Sequence, residues 1–236
     1  MKKNSEIYQY KNIYQSTLEF EKFLKSNKAI NIKTKNILDI GCGLGANIQY
    51  YSKKFPGIKF SGWDYSNKAI TIAKKLNKDK NNDFKVKDIY KIKKKEKYFD
   101  LIMSIHTFCV FKDIQEPIKK LSYLKPKYIA INSLFYEGPL DVLVHIRDLK
   151  NKKLKDSNPD SDFNIHSLSK TISSFKSCGY KIIKFQKFFP KKSIKKKSNG
   201  RGSYTVNTSF NKNTIFSGPV HLPWYFILAK KINDKK

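Results

Sequence analysis

The stretch NILDIGCGLG at residues 36–45 decides the fold of this 236-residue chain. It begins as a short apolar run that contains one acid, Asp39, and it ends in three glycines at alternate positions. This pattern predicts a buried strand that breaks into a tight turn, because glycine adopts left-handed backbone conformations with little steric cost. Residues 46–54 then predict a helix whose N-terminus would face a ligand held by the turn. The stretch therefore predicts a cofactor site.

The glycine turn by itself fits more than one kind of cofactor. Ala46 completes a G-x-G-x-x-A pattern, and Asp64 follows at about the 20-residue distance that is typical of dinucleotide-binding folds. A purely structural turn would need one or two glycines rather than three. The glycines thus leave a dinucleotide site open at this point.

Acids lie near the ends of three predicted strands. Asp39 belongs to the first strand, Asp64 and Asp88 end the second and third, and residues 98–104 predict a fourth strand without a terminal acid. Ligands of open parallel sheets bind outside the carboxyl ends of the strands. We therefore expect the three acids to converge on one ligand.

With these four segments the chain resembles the class I S-adenosylmethionine-dependent methyltransferases. The resemblance rests on the glycine turn, on GWDYS at residues 62–66, on KDI at 87–89 and on FDLIMS at 99–104, in that order. It implies an α/β, Rossmann-like fold with a doubly wound, mostly parallel sheet of seven strands, of which the last is antiparallel. It also implies S-adenosylmethionine as the cofactor.

The resemblance further implies which residues hold the cofactor: Asp39, Gly41, Gly43, Gly45, Asp64, Tyr65, Asp88, Ile89 and Ser104. The glycines would pass under its methionyl part, with Asp39 supporting the turn. Asp64 would accept hydrogen bonds from the ribose hydroxyls, since an ionised carboxylate only accepts. Tyr65 would lie against the adenine, and Asp88 with the Ile89 backbone would read the adenine edge.

Candidate catalytic bases follow the fourth and fifth strands. His106 ranks first, because it lies two residues after Ser104, where the chain of this fold passes the methyl group. Asp141 and His145 would share one helical face if residues 140–149 form a helix, which would give a base oriented by an acid. The alternatives are a packed loop histidine for His106 and a surface pair for the other two.

Further elements are predicted on both sides of the four strands. Residues 1–35 carry apolar side chains near helical spacing and predict an N-terminal helical extension that packs on the domain or covers the cofactor cleft. The methyltransferase domain would span residues 36–236, with a β-hairpin insertion at about 190–222. The aromatic segment 218–224 is of a kind that walls ligand pockets. This C-terminal portion also resembles methyltransferases of bacterial surface-glycan pathways.

The formal net charge of +30 raises nucleic acid as a partner. Arg147 and Arg201 are the only arginines among the 49 basic residues, however, and the lysines are spread over nearly every segment. Proteins that grip phosphates or base edges favour the planar fork of arginine. Compositional bias is the preferred explanation, and RNA methylation with steeply salt-dependent binding is the alternative.

Other features narrow the class of protein. Three scattered cysteines and four unclustered histidines predict neither a disulfide framework nor a metal site. The chain lacks an apolar segment long enough for a signal peptide or a membrane span, which predicts a cytoplasmic protein. The oligomeric state stays open.

The sequence thus predicts a methyltransferase that acts on a hydroxyl or amine of a small-molecule or sugar-like acceptor. The alternatives are an RNA methyltransferase, a non-catalytic S-adenosylmethionine-binding module and an NAD-dependent dehydrogenase.

Overall fold

The structure is a computed structural model that describes residues 10, 12–94, 98–146, 161–198 and 202–232. Helices pack on both faces of one central sheet. The helices are α1 (Gln15–Ser26), α2 (Ala46–Lys54), α3 (Asn67–Leu76), α4 (Gln115–Ser122) and α5 (Leu168–Ser177). The long-sheet strands are β1 (Asn36–Ile40), β2 (Lys59–Asp64), β3 (Asp83–Val86), β4 (Leu101–Ile105), β5 (Tyr128–Tyr136), β9 (Tyr180–Lys187) and β13 (Trp224–Lys231). The short strands are β6 (His145–Ile146), β7 (Ser161–Asp162), β8 (His166–Ser167), β10 (Ser203–Val206), β11 (Thr214–Ser217) and β12 (Val220–His221).

The main path of the sheet runs in the order β3-β2-β1-β4-β5-β13-β9, and β8 adds a short pairing to the end of β5. Neighbouring strands from β3 to β5 pair in parallel. β13 is antiparallel to both of its neighbours. The predicted fold class, a mostly parallel seven-stranded sheet with an antiparallel last strand, is confirmed.

The two faces of the sheet bury separate apolar clusters, because successive side chains of a strand point to opposite faces. Ile37 belongs to the cluster on one face and Leu38 to the cluster on the other. Helix α1 packs on the Ile37 face, where the Phe20 and Phe226 ring centroids are 5.2 Å apart and Phe20 is fully buried. The helix predicted in the N-terminal extension therefore packs on the domain, and the predicted residues before Tyr10 lie outside the described part.

The predicted insertion between β9 and β13 is a small antiparallel sheet in which β11 pairs with both β10 and β12. β10 ends at Val206 and β11 begins at Thr214, so a seven-residue loop at 207–213 connects them. Hydrogen bonds between the Thr208 hydroxyl and the Asn211 backbone order this loop. The segment 218–223, which contains β12, leads the chain from this small sheet back to β13 in the main sheet.

The helix at residues 140–149, on which a shared face of Asp141 and His145 depended, does not form at residues 140–146, the part that the structure describes. Val142 forms an antiparallel bridge with Ile165, and their N–H and C=O groups bond to each other at 2.8 Å in both directions. His145 follows in strand β6. The backbone groups here bond sideways to a neighbouring segment instead of four residues along the chain, so no helical turn forms. Residues 147–149 lie outside the described part.

Three further observations concern membrane-spanning helices, metal sites and cysteines. No helix within the described ranges has the length and apolar character needed to cross a bilayer. Those ranges also hold no group of three or more histidine, cysteine or acidic side chains that could bind a metal ion. Cys42 and Cys109 are buried free thiols, and Cys178 is a half-buried one.

Candidate functional site

The glycine turn after β1 has the predicted left-handed backbone, with φ of +72° at Gly41, +52° at Gly43 and +78° at Gly45. A Cβ atom at Gly41 would overlap the Thr107 side chain, and one at Gly45 would overlap Phe84. A Cβ at Gly43 would meet no atom within 4 Å. The outer glycines are thus required by the protein's own packing, whereas Gly43 borders open space that a ligand can occupy.

Asp39 lies beneath this turn with its carboxylate enclosed. Its side chain is 1% exposed, and neither carboxylate oxygen has a hydrogen-bond partner in the described structure. Burial raises the pKa of Asp39 to about 8, the Asp64 carboxylate adds to the rise, and the Asn47 side chain opposes it. An unsatisfied buried carboxylate is costly, and a cationic group would satisfy it. The arrangement fits a ligand that brings a positive charge to the turn.

Asp64, the last residue of β2, joins the turn to the next helix. One carboxylate oxygen accepts the Gly43 N–H at 2.9 Å, and the other accepts the Ser66 N–H at 2.9 Å. The Ser66 hydroxyl in turn accepts the Ala69 N–H at 3.2 Å, which makes Ser66 the N-cap of α3. Each carboxylate oxygen keeps a second lone pair, and the side chain is only partly buried, so Asp64 can still accept a bond from a ligand.

The adenine-side candidates lie at the neighbouring strand tips. Tyr65 follows β2 with 82% of its surface exposed, so one face of its ring is free to cover a flat ligand. Asp88 follows β3 and accepts the Tyr90 N–H at 3.0 Å, while Ile89 is buried beneath it. Because β1, β2 and β3 are adjacent, the structure brings the predicted acids to one edge.

Ser104 occupies a different position from the other candidates. Its side chain is fully buried, and its hydroxyl donates to the Ile40 carbonyl at 3.0 Å, which joins β4 to β1. The hydroxyl is therefore committed to the sheet. A contact between Ser104 and a cofactor would have to use the backbone, and its role stays a prediction.

His106 lies just beyond β4 in a left-handed conformation, with φ of +61°. Its backbone N–H donates to the Asn132 carbonyl at 2.9 Å, and its ring lies 6.4 Å from the Tyr14 ring and 4.5 Å from the Trp224 ring, centroid to centroid. Burial lowers the pKa of His106 to about 4, so the imidazole is neutral near pH 7. Neither ring nitrogen is engaged by a hydrogen bond within the described ranges.

Asp141 and His145, the other two candidate bases, do not come together. Asp141 accepts the Ser167 N–H at 2.7 Å and pairs with Lys170 at 2.8 Å, at the start of α5. Burial alone would raise the pKa of Asp141, but the hydrogen bonds from Lys170 and Ser167 lower it. His145 pairs with Asp162 at 2.9 Å on the surface. The two side chains therefore do not form the acid-oriented base that a helix would have allowed, because each one holds a loop in place.

Sequence reasoning missed Asn132 on β5. This residue is fully buried, and both polar atoms of its side-chain amide lack partners in the described structure. It stands beside Ile105 in the strand register, directly behind His106. An asparagine within the otherwise apolar run YIAIN at residues 128–132 was the available signal, since a buried amide needs an explanation.

A second part of the same edge is apolar. A cavity of about 570 Å³ lies over the ends of β5, β9 and β13, beneath the insertion. Its lining includes Trp224 but none of the glycine-turn residues and neither Asp64 nor Asp88. We call the glycine turn with Asp39, Asp64 and Asp88 the acidic cleft. It adjoins the apolar cavity at the contact between His106 and Trp224.

The glycine pattern fits both a dinucleotide-binding fold and a methyltransferase fold, and the strand order distinguishes between them. Dinucleotide-binding sheets run 3-2-1-4-5-6, whereas here the antiparallel β13 lies between β5 and β9. Residues 37–126 match a family model described as a methyltransferase domain. Residues 37–126 therefore form a methyltransferase domain, and the strand order is that of the class I fold. The matched segment covers the glycine turn and the strand tips of the acidic cleft.

Curated relatives of this methyltransferase include two malonyl-(acyl-carrier protein) O-methyltransferases. That of Priestia megaterium is 34% identical over 131 residues, which cover 54% of this chain and 47% of the relative. Malonyl-(acyl-carrier protein) O-methyltransferase 2 of Ilyobacter polytropus is 32% identical over 136 residues, which cover 57% of this chain and 49% of the relative. The methyltransferase chain thus spans about half the length of the curated relatives that it matches.

Solved structures agree with this methyltransferase in fold. The S-adenosylmethionine-bound magnesium protoporphyrin IX methyltransferase of Synechocystis PCC 6803 superimposes with a TM-score of 0.56 at 12% identity, over 92% of this chain and 78% of that chain. A putative methyltransferase of Listeria monocytogenes gives a TM-score of 0.59 at 14% identity, over 87% of this chain and 95% of that chain. At these identities the likeness shows the fold alone.

Proposed function

We propose that this class I methyltransferase binds S-adenosylmethionine at the glycine turn and transfers a methyl group to a hydroxyl or amine of a small-molecule acceptor. The observation that carries the proposal is the enclosed Asp39 carboxylate without a partner, beneath a turn that is open at Gly43. The cofactor brings an α-ammonium and a sulfonium, and NAD has neither next to its pyrophosphate. A bound cation would favour ionisation of the buried Asp39 and so gain a partner, whereas a pyrophosphate would oppose that ionisation.

The proposed roles of the chain follow the strand tips. The Gly43 backbone leaves room for the methionyl part, and Asp39 balances its positive charge. Asp64 accepts from the ribose hydroxyls while it holds the turn, and Tyr65 covers the adenine whose edge lies near Asp88. The bound cofactor supplies an activated methyl group.

His106 is the proposed base for an acceptor hydroxyl. Its neutral imidazole has a free lone pair at pH 7, because burial keeps its pKa low. Tyr14 and Trp224 hold the ring at the border between the cleft and the cavity. A base in this place can take the acceptor proton while both reactants are aligned, and alignment itself supplies much of the rate.

Calorimetry of the full-length chain with S-adenosylhomocysteine and, separately, with NAD tests the cofactor. We expect binding of S-adenosylhomocysteine and none of NAD, and the reverse result would refute the proposal. A second assay follows methyl transfer from labelled S-adenosylmethionine in fractions of a cell extract. Cofactor binding without transfer in any fraction would instead support a non-catalytic binding module.

A carboxyl acceptor is the second candidate, favoured by the malonyl-(acyl-carrier protein) O-methyltransferases among the curated relatives. Methylation of a carboxylate needs no base, and it yields an ester. The labelled product therefore distinguishes the two candidates, because mild alkali releases the label from an ester and leaves an ether or a methylamine intact. Alkali-labile label on a malonyl carrier protein would favour the second candidate.

A further inference from the structure

The cavity beneath the insertion is walled mainly by aromatic side chains. Those that carry the argument are Tyr136, Phe188, Phe189, Phe210, Phe216 and Trp224. Its volume of about 570 Å³ falls within the usual range for small-molecule sites. Aromatic rings prefer other rings as neighbours, in offset or edge-to-face contact. The wall thus selects for a flat, apolar ligand.

The roof of the cavity is held in place by hydrogen bonds. The Tyr204 hydroxyl of β10 donates to the Gly218 carbonyl at 2.8 Å, which closes the small sheet on itself. The Asn213 amide donates to the Pro190 carbonyl at 2.8 Å, which ties the hairpin loop to the end of β9. The cavity is therefore already formed without a ligand, and ordering the roof adds little cost to binding.

The charged groups at the cavity neutralise each other. The Lys187 ammonium lies 2.9 Å from the Glu137 carboxylate, and the Tyr225 hydroxyl donates to the same carboxylate at 2.6 Å. Burial and the nearby Lys187 lower the pKa of His221, so this ring is neutral as well. A charged ligand would have to break the ion pair to gain a partner, whereas an uncharged ligand leaves it intact.

The rim of the cavity carries an exposed aromatic residue. Phe210, in the loop between β10 and β11, is 90% exposed while it lines the cavity. Burying its ring against an apolar ligand would be favourable by the hydrophobic effect. At the inner end, Trp224 lines the cavity and contacts His106 at 4.5 Å between ring centroids, so a ligand here lies next to the proposed base.

From this juxtaposition we infer that the cavity binds the body of the methyl acceptor, and that the acceptor is an uncharged molecule with an aromatic ring and a hydroxyl group directed toward His106. The inference rests on the proposed function and names its substrate class. It differs from the sugar-like acceptor predicted from the sequence, since a sugar needs several hydrogen-bonding groups where the cavity offers mostly rings.

Three probes of defined chemistry test the inference by calorimetry on the full-length protein with S-adenosylhomocysteine present. They are 1-naphthol, 1-naphthoate of similar size but negative charge, and methyl β-glucoside. We expect 1-naphthol to bind at least about tenfold more tightly than the other two, because a carboxylate would be buried without a partner. Equal binding of 1-naphthol and 1-naphthoate, or tighter binding of the glucoside, overturns the inference.

A pair of variants locates the probe. Phe210→Ala should weaken 1-naphthol binding about five- to tenfold, from the loss of one aromatic contact and its buried area. Because Phe210 is exposed, its removal leaves folding intact. Phe185→Ala, which removes a half-exposed ring on β9 that does not line the cavity, should leave binding unchanged. Equal effects of the two variants would place the probe elsewhere and overturn the inference.

The labelled-methyl assay separates failure of this inference from failure of the proposed function. After transfer in a cell extract, we expect the label in the fraction that ethyl acetate extracts at neutral pH. Label that stays with carbohydrate in the aqueous phase overturns the inference and leaves the methyltransferase assignment intact. Binding of 1-naphthol without any binding of S-adenosylhomocysteine overturns both.

Discussion

The two halves of the sheet's carboxyl edge are built in opposite ways. Over β1, β2 and β3 the edge is acidic and made of backbone, with glycines in left-handed conformations and carboxylates at the strand tips. Over β5, β13 and β9 it is aromatic and made of side chains, and its charged groups are paired. The first half fits a polar ligand that carries a positive charge, and the second fits an apolar one.

Because one half suits the cofactor and the other suits the acceptor, we expect methyl transfer to occur where the two halves meet. His106 follows β4, which lies between the two halves, and contacts Trp224, the first residue of β13 in the aromatic half. A methyl group carried from one half to an acceptor in the other has to cross this border. Variants on each side should therefore separate cofactor affinity from acceptor affinity, while variants at the border change the rate.

The largest effect is expected at His106. His106→Gln should lower kcat about 100-fold or more, within the range for loss of a general base, with S-adenosylhomocysteine affinity unchanged. In the wild type, the low pKa of His106 predicts that kcat holds down to about pH 5 and falls only as the ring becomes protonated near pH 4. His145→Gln, which alters a surface histidine paired with Asp162, is the control. A kcat within threefold of the wild type would remove His106 as the base.

On the acidic side, Asp64→Ala should weaken S-adenosylhomocysteine binding by about 1.5 to 3 kcal/mol, the scale of hydrogen bonds to a charged group. The loss should appear in calorimetry as a higher Kd, with the affinity for 1-naphthol unchanged. Asp83→Ala is the matched control, because Asp83 is an acid at the other end of the neighbouring strand, paired with Lys85 at 3.2 Å. Unchanged affinity in Asp64→Ala would refute its role.

The acidic half could be predicted from sequence because its signals are local. At each strand end, a few neighbouring residues determine the backbone conformation. Examples are the glycines after Asp39 and Ser66 after Asp64. The strands β1 to β5, the capped helix α3 and the convergence of the three acids follow from these residues.

The aromatic half could not be predicted at the same level, because its contacts join distant segments. The ion pair between Glu137 and Lys187 spans 50 residues, and no local pattern indicates it. The possible helix at 140–149 does not form at 140–146 for the same reason, since the spacing of Asp141 and His145 suited a helix while Ile165 and Ser167 supplied the competing bonds. The buried Asn132 and the contact of Tyr14 with His106 likewise depend on packing between elements far apart in the chain.

Alanine variants of two glycines test whether the open space at the glycine turn is where the cofactor binds. Gly43 and Gly179 both have positive φ, and an added Cβ meets no atom within 4 Å at either. Gly43→Ala and Gly179→Ala should thus each lower the free energy of unfolding by about 1 to 2 kcal/mol, the cost of a left-handed alanine. Only Gly43→Ala should also weaken S-adenosylhomocysteine binding, by roughly tenfold or more, since its methyl group would enter the cofactor's space. Equal affinities in the two variants would show that the turn does not border the cofactor.

The last prediction concerns the pH dependence of stability at Asp39. The folded protein keeps the Asp39 proton up to about pH 8, whereas an unfolded aspartate loses it near pH 4. Between these values the folded state binds more protons than the unfolded state, so this residue makes the free energy of unfolding fall as pH rises. Asp39→Asn removes the contribution. Its stability relative to the wild type should therefore increase from pH 5 to pH 8 by up to about 4 kcal/mol, or about 10 °C in Tm.

Thermal unfolding of Asp39→Asn and the wild type across this pH range measures the difference, with Asp83→Asn as the control at an exposed acid. The two Asp39 curves should diverge as pH rises, and parallel curves would contradict the raised pKa. A bound cation should reverse the effect, because it favours the ionised carboxylate. Calorimetry of S-adenosylhomocysteine binding at pH 7 in buffers of different ionisation enthalpy should then show proton release from the wild type, and less release from Asp39→Asn. Such release would tie the unpartnered carboxylate of the acidic half directly to the charge of the cofactor.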